Sequence, residues 1–161
     1  MVTPEIRQVI EDLIHDYVHC IDDNDLERWP LLFASQCLYK VVPRENADLN
    51  LPIAIMYCDS QGMLQDRVTA HRKANLFAAH FYRHLVSSVR ISEENDGIYS
   101  VRSNYVVFRT AADAVQYGAT EIYSAGAYYD KIVLESGIAK FKEKIVIADT
   151  CKVSSLLVTP L

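Results

Sequence analysis

The spacing of the apolar residues changes in kind halfway along the chain, and that change limits the fold more than any other feature. Near the start, Ile6, Val9, Ile10, Leu13, Ile14, Tyr17 and Ile21 recur at helical spacing, with Arg7, Gln8, Glu11, Asp12, His15 and His19 between them. This is one apolar stripe along a helix. Thr3 and Pro4 supply a cap and a first turn, so the helix is expected over about 4–21. Later, Leu85, Ser87, Val89 and Ile91 alternate with Val86, Ser88 and Arg90, and Tyr99, Val101, Ser103, Tyr105 and Val107 alternate again. A period of two belongs to strands. Helices followed by a meander of long strands give an α+β domain, with an antiparallel sheet and helices packed on one side.

Between these regions, Asp22-Asp23-Asn24-Asp25 breaks the first helix and caps a shorter one carrying Leu26, Trp29, Leu32 and Phe33, which Pro30 divides into short turns. Leu38 to Val42 reads as a strand ended by Pro43. Residues 44–50 form a polar loop, and Ile53 to Cys58 is β-prone. Gln61 to about Ala74 returns to helical spacing. A turn at Glu93 to Gly97, a loop at Ala111 to Tyr117 and strands over 121–134 and 138–149 complete the meander. In the last strand Lys140, Lys142 and Lys144 share one face, which must then be wet. Glu143 falls with Phe141, Ile145 and Ile147 on the apolar face, where it needs a partner, a subunit contact or a bulge.

A chain of 161 residues fits one domain, 1–161, and with half its residues hydrophobic it can bury a sizeable core. The net charge of -5 and the scattered basic residues lack the footprint of a nucleic-acid protein. No apolar run of about eighteen residues offers a membrane span, and the first residues lack a secretory pattern, so a cytoplasmic protein is expected. Cys20, Cys37, Cys58 and Cys151 have none of the spacings of zinc, iron–sulfur or redox motifs and read as free, partly buried thiols.

Three groups of residues are candidates for chemistry. His80 and His84 are four apart, as two metal ligands on a helix would be. On a strand they would sit about 13 Å apart, and no carboxylate lies between Arg67 and Arg90 to complete an iron site. Structural histidines are the expectation. Tyr17, Asp22 or Asp23, Tyr39 and His84 can converge where the first helices meet the sheet, and a buried histidine beside a carboxylate is an acid–base pair. The competing reading makes the aspartates helix caps and the tyrosines tethered core residues. No residue is therefore assigned as catalytic. Tyr123, Tyr128 and Tyr129 share one strand, and tyrosine is favoured at subunit interfaces. The motifs of phosphate loops and nucleophile elbows are missing.

Several stretches resemble the β subunits of aromatic-ring-hydroxylating dioxygenases. The first runs from Tyr17 through the aspartate-rich bend Asp22-Asp23-Asn24-Asp25 to Trp29-Pro30-Leu31-Leu32-Phe33, and on to Cys37-Leu38-Tyr39-Lys40-Val41. This opening is shared with other proteins of the NTF2-like group. Met56 to Val68, Tyr82 to Ile91 and Val101 to Arg109 are more specific. Gly126-Ala127-Tyr128-Tyr129-Asp130 and Lys142 to Asp149 close the match, which covers nearly the whole chain in family order. Many relatives have asparagine where Ser88 stands. Segment 44–62 looks most like subunits acting with anthranilate, salicylate or terephthalate-type oxygenases.

The resemblance implies an NTF2-like (cystatin-like) cone, a curved antiparallel sheet with about three N-terminal helices on one face. It implies a small, mainly structural subunit with no cofactor of its own. A larger α subunit would carry a Rieske [2Fe–2S] cluster and a mononuclear non-haem iron, and a reductase would supply electrons from NAD(P)H. The expected assembly is an α3β3 hexamer containing a β3 trimer, hydroxylating an aromatic acid. A Rieske centre needs two Cys and two His ligands, and no Cys here has a histidine two or three positions on. The alternatives are a stand-alone isomerase or dehydratase of the same fold using an aspartate and His84, and a small-molecule binding module. The arene and the surfaces that meet α are not legible at this level.

Overall fold

The computed structural model describes residues 2–75, 77–150 and 157–161. Helix α1 spans Pro4–Asp22, and the Thr3 hydroxyl accepts the Ile6 N–H at 3.3 Å as its cap. Ile10, Leu13, Ile14, Tyr17, Val18 and Ile21 form its buried stripe. The chain leaves the helix through Asn24, whose φ of 57° is left-handed, a conformation asparagine tolerates better than most residues. The expected second helix contracts to a 3-10 turn at Trp29–Leu32, and strand β1, Phe33–Pro43, begins earlier than expected. A short helix α2, Arg44–Asp48, lies in the expected loop. Strand β2, Met56–Cys58, precedes helix α3, Gln61–Lys73, which Ser60 caps through the Met63 N–H. Four long strands follow: β3 His80–Glu93, β4 Ile98–Ala111, β5 Thr120–Glu135 and β6 Ile138–Ala148.

The strands form one sheet in the order β2-β1-β6-β5-β4-β3. The expected all-antiparallel pairing holds except between β1 and β6, which are parallel. β1 comes from the helical half and pairs with the last strand of the meander. Such a parallel neighbour needs a long crossover, and most of the chain supplies it. Helix α1 packs against β3 and β6, and α3 against β1, so the helices close one face of the sheet. Gly126 marks a tight approach of β5 to β6. A Cβ there would stand 2.0 Å from the Ile147 carbonyl oxygen, so no side chain fits without a shift.

Bulges decide which side chains enter the core. On β6, Lys142 is the extra residue, because Lys131 pairs with Glu143 and Ile132 with Phe141. The face therefore changes at Lys142. Glu143 turns away from the core, and Lys144, expected on the wet face, is fully buried. On β5, Tyr123 is extra between the pairs Val107–Ser124 and Phe108–Ile122. Tyr123 and Tyr128 consequently both point into the core, at 4% and 0% exposure, and offer nothing to a subunit interface. Of the three tyrosines only Tyr129 remains outside, 38% exposed.

The third bulge lies on β3, where Ser88 and Val89 face Ser103 between the pairs Ser87–Asn104 and Arg90–Arg102. Ser88 has φ 56°. A left-handed residue other than glycine costs about 1–2 kcal/mol, least for asparagine and aspartate. Asparagine would hold the same φ at lower cost. Cys20, Cys37 and Cys58 are buried free thiols. Burial pushes the Cys20 thiol up to about 12 and the Cys37 thiol up to about 11, so neither is a nucleophile near neutral pH. Cys151 lies outside the described residues.

The Ser88→Asn variant is expected to raise unfolding free energy by up to about 1 kcal/mol, and Ser88→Val to lower it by about as much or more. Paired urea denaturation curves check both. Equal midpoints for the two variants would show that the bulge carries no left-handed strain.

Candidate functional site

The interior of the sheet is lined by aromatic rings. Tyr105 stacks on Tyr128 with centroids 4.4 Å apart, and Tyr17 meets Phe33, Phe141 and Tyr128 edge-on. Among them lies a fully buried ion pair. Lys144 Nζ is 3.1 and 3.2 Å from the two oxygens of Asp130. It also stands 3.8 Å from the centroid of Tyr128, 4.3 Å from Tyr17 and 4.7 Å from Phe141. Burial pushes the Lys144 ammonium down and the Asp130 carboxyl up, while each opposes the shift in the other. The ammonium thus donates its hydrogen bonds to one carboxylate and rests against ring faces.

Asp22 ends α1 and reaches across to β3. Its Oδ2 accepts the backbone N–H of His84 at 2.9 Å, and its Oδ1 accepts from His84 Nδ1 at 2.5 Å. The His84 ring is fully buried, and the Asp22 side chain is 3% exposed. One carboxylate therefore fixes both the strand and the ring orientation, and the second ring nitrogen, Nε2, is buried. That nitrogen has no hydrogen-bond partner among the described residues. Arg83 Nη1 lies 4.0 Å from Asp22 on the exposed side.

The five residues expected to converge do not form one site. Asp22 and His84 pair as expected. Asp23 is exposed and serves as the C-terminal cap of α1, its backbone N–H donating to the His19 carbonyl. Tyr17 and Tyr39 turn to another partner: both hydroxyls donate to the main-chain oxygen of Leu161, at 2.5 and 3.3 Å. His80 also stands apart from His84. Both lie on β3, and His80 donates through Nδ1 to the Ala78 carbonyl at 2.8 Å. Among the described residues no three histidine, cysteine, aspartate or glutamate side chains are grouped to hold a metal.

Two further contacts gave no signal in the sequence. Arg72 on α3 forms a fork to both oxygens of Glu27 and to Asn24, fastening α3 to the bend after α1. Its hydrogen bonds hold the Glu27 carboxyl down at about 2. His71 Nε2 meets the Thr159 hydroxyl at 3.0 Å. Asp22, His71, His80, Tyr82 and Thr159 border a recess of about 420 Å³. A buried carboxylate and an oriented imidazole can move a proton, but here both are enclosed.

The architecture defines the chain as an NTF2-like (cystatin-like) α+β protein with a packed interior. The profile of the family described as "Ring hydroxylating beta subunit" matches residues 18–155, and the chain belongs to that family, the non-catalytic small-subunit type of dioxygenases. It is 43% identical to the anthranilate 1,2-dioxygenase small subunit of Burkholderia cepacia, over 90% of this chain and 88% of that one. It is 32% identical to a terephthalate 1,2-dioxygenase terminal oxygenase β subunit of a Comamonas species, over 90% of this chain and 92% of the relative. A crystal structure of the β subunit of a protein described as an aromatic-ring-hydroxylating dioxygenase, from Novosphingobium aromaticivorans, superposes with a TM-score of 0.85. It is 44% identical and covers 96% of this chain and 95% of its own.

His84→Ala and Asp22→Asn are expected to lower unfolding free energy by about 1–3 kcal/mol, as a buried partner loses its hydrogen bond. Turnover per assembled oxygenase should stay within a few-fold of the parent. A general acid–base role would instead cost on the order of 10²–10⁴ in rate at unchanged melting temperature. Melting curves set beside single-complex turnover separate the two roles.

Proposed function

We propose that this chain is the small subunit of a cytoplasmic, multicomponent oxygenase that inserts O2 into an aromatic acid during aromatic catabolism. The observation that carries this reading is the 43% identity, over nine-tenths of the chain, to a subunit of anthranilate 1,2-dioxygenase. The terephthalate 1,2-dioxygenase relatives also act on an aromatic carboxylic acid by name, which supports the substrate class. In this reading residues 1–161 form one domain without a redox group. The Rieske [2Fe–2S] cluster and mononuclear iron belong to a larger α subunit, a reductase feeds electrons from NAD(P)H, and the assembly is α3β3. Hydroxylation is expected only when this chain is co-expressed with its α subunit, with about no iron per isolated chain by metal analysis. Turnover of an aromatic acid by this chain with reductase and NAD(P)H alone would favour the isomerase-like or independent-enzyme alternative.

The outer face of the sheet supports self-association. Leu85 pairs with Val106 across β3 and β4, and Phe108 with Ile122 across β4 and β5. Phe81, Leu85 and Ile122 are each more than half exposed, and Tyr129 lies on the same strand as Ile122. Apolar side chains grouped in this way are more often covered than wet. A β3 trimer through this face, with Tyr129 as its tyrosine contact, replaces the expectation that Tyr123 and Tyr128 line it. Light scattering of the isolated chain at micromolar concentration should give the trimer mass, and Leu85→Glu should reduce it to the monomer. A monomer mass unchanged on tenfold concentration would leave the α subunit as the source of assembly.

A further inference from the structure

The end of the described chain lies inside the molecule. Val158, Thr159 and Leu161 are 6%, 6% and 3% exposed, and Leu161 belongs to the core cluster. Three elements hold this segment by side chains. Tyr17 on α1 and Tyr39 on β1 donate to the main-chain oxygen of Leu161. The Leu161 N–H in turn donates to the Tyr39 hydroxyl at 3.0 Å, so one tyrosine reads both sides of the same residue. His71 on α3 takes Thr159.

This differs from ordinary core packing. A buried main chain outside a helix or sheet must find partners for its polar groups. Here they come from hydroxyls on separate elements, converging as they would on a ligand. The surroundings also hold polar atoms that the fold does not use. Trp29 Nε1, His84 Nε2 and the Tyr128 hydroxyl are buried without hydrogen-bond partners among the described residues. A recess of about 420 Å³ is bordered by Thr159, His71 and Asp22. Side-chain polar groups that converge on one segment beside a recess are the elements from which a binding site is made.

We propose that the interior of the cone is a ligand-binding chamber whose occupant is this chain's own segment 157–161, bound as an internal ligand by Tyr17, Tyr39 and His71. The chamber selects an apolar side chain joined to an amide or carboxyl oxygen. Leu161 fills the apolar part, and Tyr39 accepts the N–H while donating to the oxygen. The segment thereby ties α1, β1 and α3 together. An occupied chamber gives a different outcome from an empty one: a free copy of the segment binds only when the tethered copy has left.

Trp29 is the single tryptophan, and its ring lies 5.1 Å from that of Tyr39, so its fluorescence reports on this contact. The Leu161→Asp variant of the whole chain places a charge where the chamber is apolar and should release the segment, shifting Trp29 emission to the red. Titration with the synthetic pentapeptide Leu-Val-Thr-Pro-Leu should then restore the parent spectrum saturably. The same peptide ending in Asp should not, and neither should the parent chain respond. Adding Tyr39→Phe should weaken peptide binding at least tenfold. A folded Leu161→Asp protein with parent-like Trp29 emission and no peptide binding overturns the proposal, as does equal binding to the parent. Should Leu161→Asp fail to fold, hydrogen exchange on the intact chain decides. A Leu161 amide slowed in the parent and released at least tenfold in Tyr39→Phe supports the internal ligand, and an unprotected one refutes it.

Discussion

Among the described residues the ammonium of Lys144 has a single charged partner, Asp130, and it lies against the faces of Tyr17, Tyr128 and Phe141. These residues come from α1, β5 and β6, so the helix, the centre of the sheet and its register meet at one ion pair. Removing either charge would leave the other buried without compensation, which typically costs about 3–5 kcal/mol. An apolar pair of similar volume would satisfy the core at less electrostatic cost, so stability alone does not account for it. What the pair adds is register. A one-residue slip of β6 against β5 would carry Lys144 out and leave Asp130 alone inside. The aromatic box makes the same demand, because rings replace water around the ammonium only when Lys144 stands at this position.

That arrangement depends on a bulge, and the bulges are what the sequence concealed. Strict alternation along the last strand puts Lys140, Lys142 and Lys144 together in solvent, and the extra residue at Lys142 breaks the alternation. The pattern did contain a warning. Glu143 among Phe141, Ile145 and Ile147 conflicted with an apolar face, and a bulge was one of its three resolutions. The shift that carries Glu143 out necessarily carries Lys144 in, and Asp130 on the neighbouring strand was available to receive it. Tyr123 and Tyr128 follow the same logic. Five residues apart, they should face opposite ways, and the extra residue at Tyr123 turns both inward.

Elements set by local spacing were legible almost to their ends for α1, α3, β5 and β6, whereas β3 and β4 run several residues beyond the alternation that marked them. Apolar stripes and caps act within a few residues and survive any tertiary context that uses the same face. The parallel pairing of β1 with β6 was not legible, since nothing local distinguishes a strand that will pair with its neighbour from one that waits for the end of the chain. The candidate site was half legible. The aspartate-rich bend and His84 were correctly brought together, but the choice between Asp22 and Asp23 turned on where α1 ends. One position earlier or later rotates a side chain by about 100°, which decides between reaching β3 and facing water. Tyr17 and Tyr39 were correctly placed in the core, but their partner, a short segment without periodicity, carries no pattern that spacing rules can detect.

Asp22 and His84 show why composition of a site and function of a site are separate questions. Both oxygens of Asp22 are committed to His84, one to its backbone and one to its ring. This joins the last turn of α1 to an edge strand of 14 residues, β3, whose other long side has no strand neighbour. Edge strands are the part of a sheet most free to slip or to recruit foreign strands, and β4 is the one strand that β3 pairs with among the described residues. A carboxylate that fixes the backbone of His84 limits that freedom, and the ring contact stops the helix end from turning away. Acid–base chemistry would need the far nitrogen to meet a substrate, yet the ring is fully buried. The same two residues therefore act as a fastener. With Asp22 and His84 committed to each other, the chain's exposed apolar residues, Phe81, Leu85 and Ile122 among them, lie on the outer surface. That distribution suits a subunit whose contribution to a dioxygenase is made through what it holds in place.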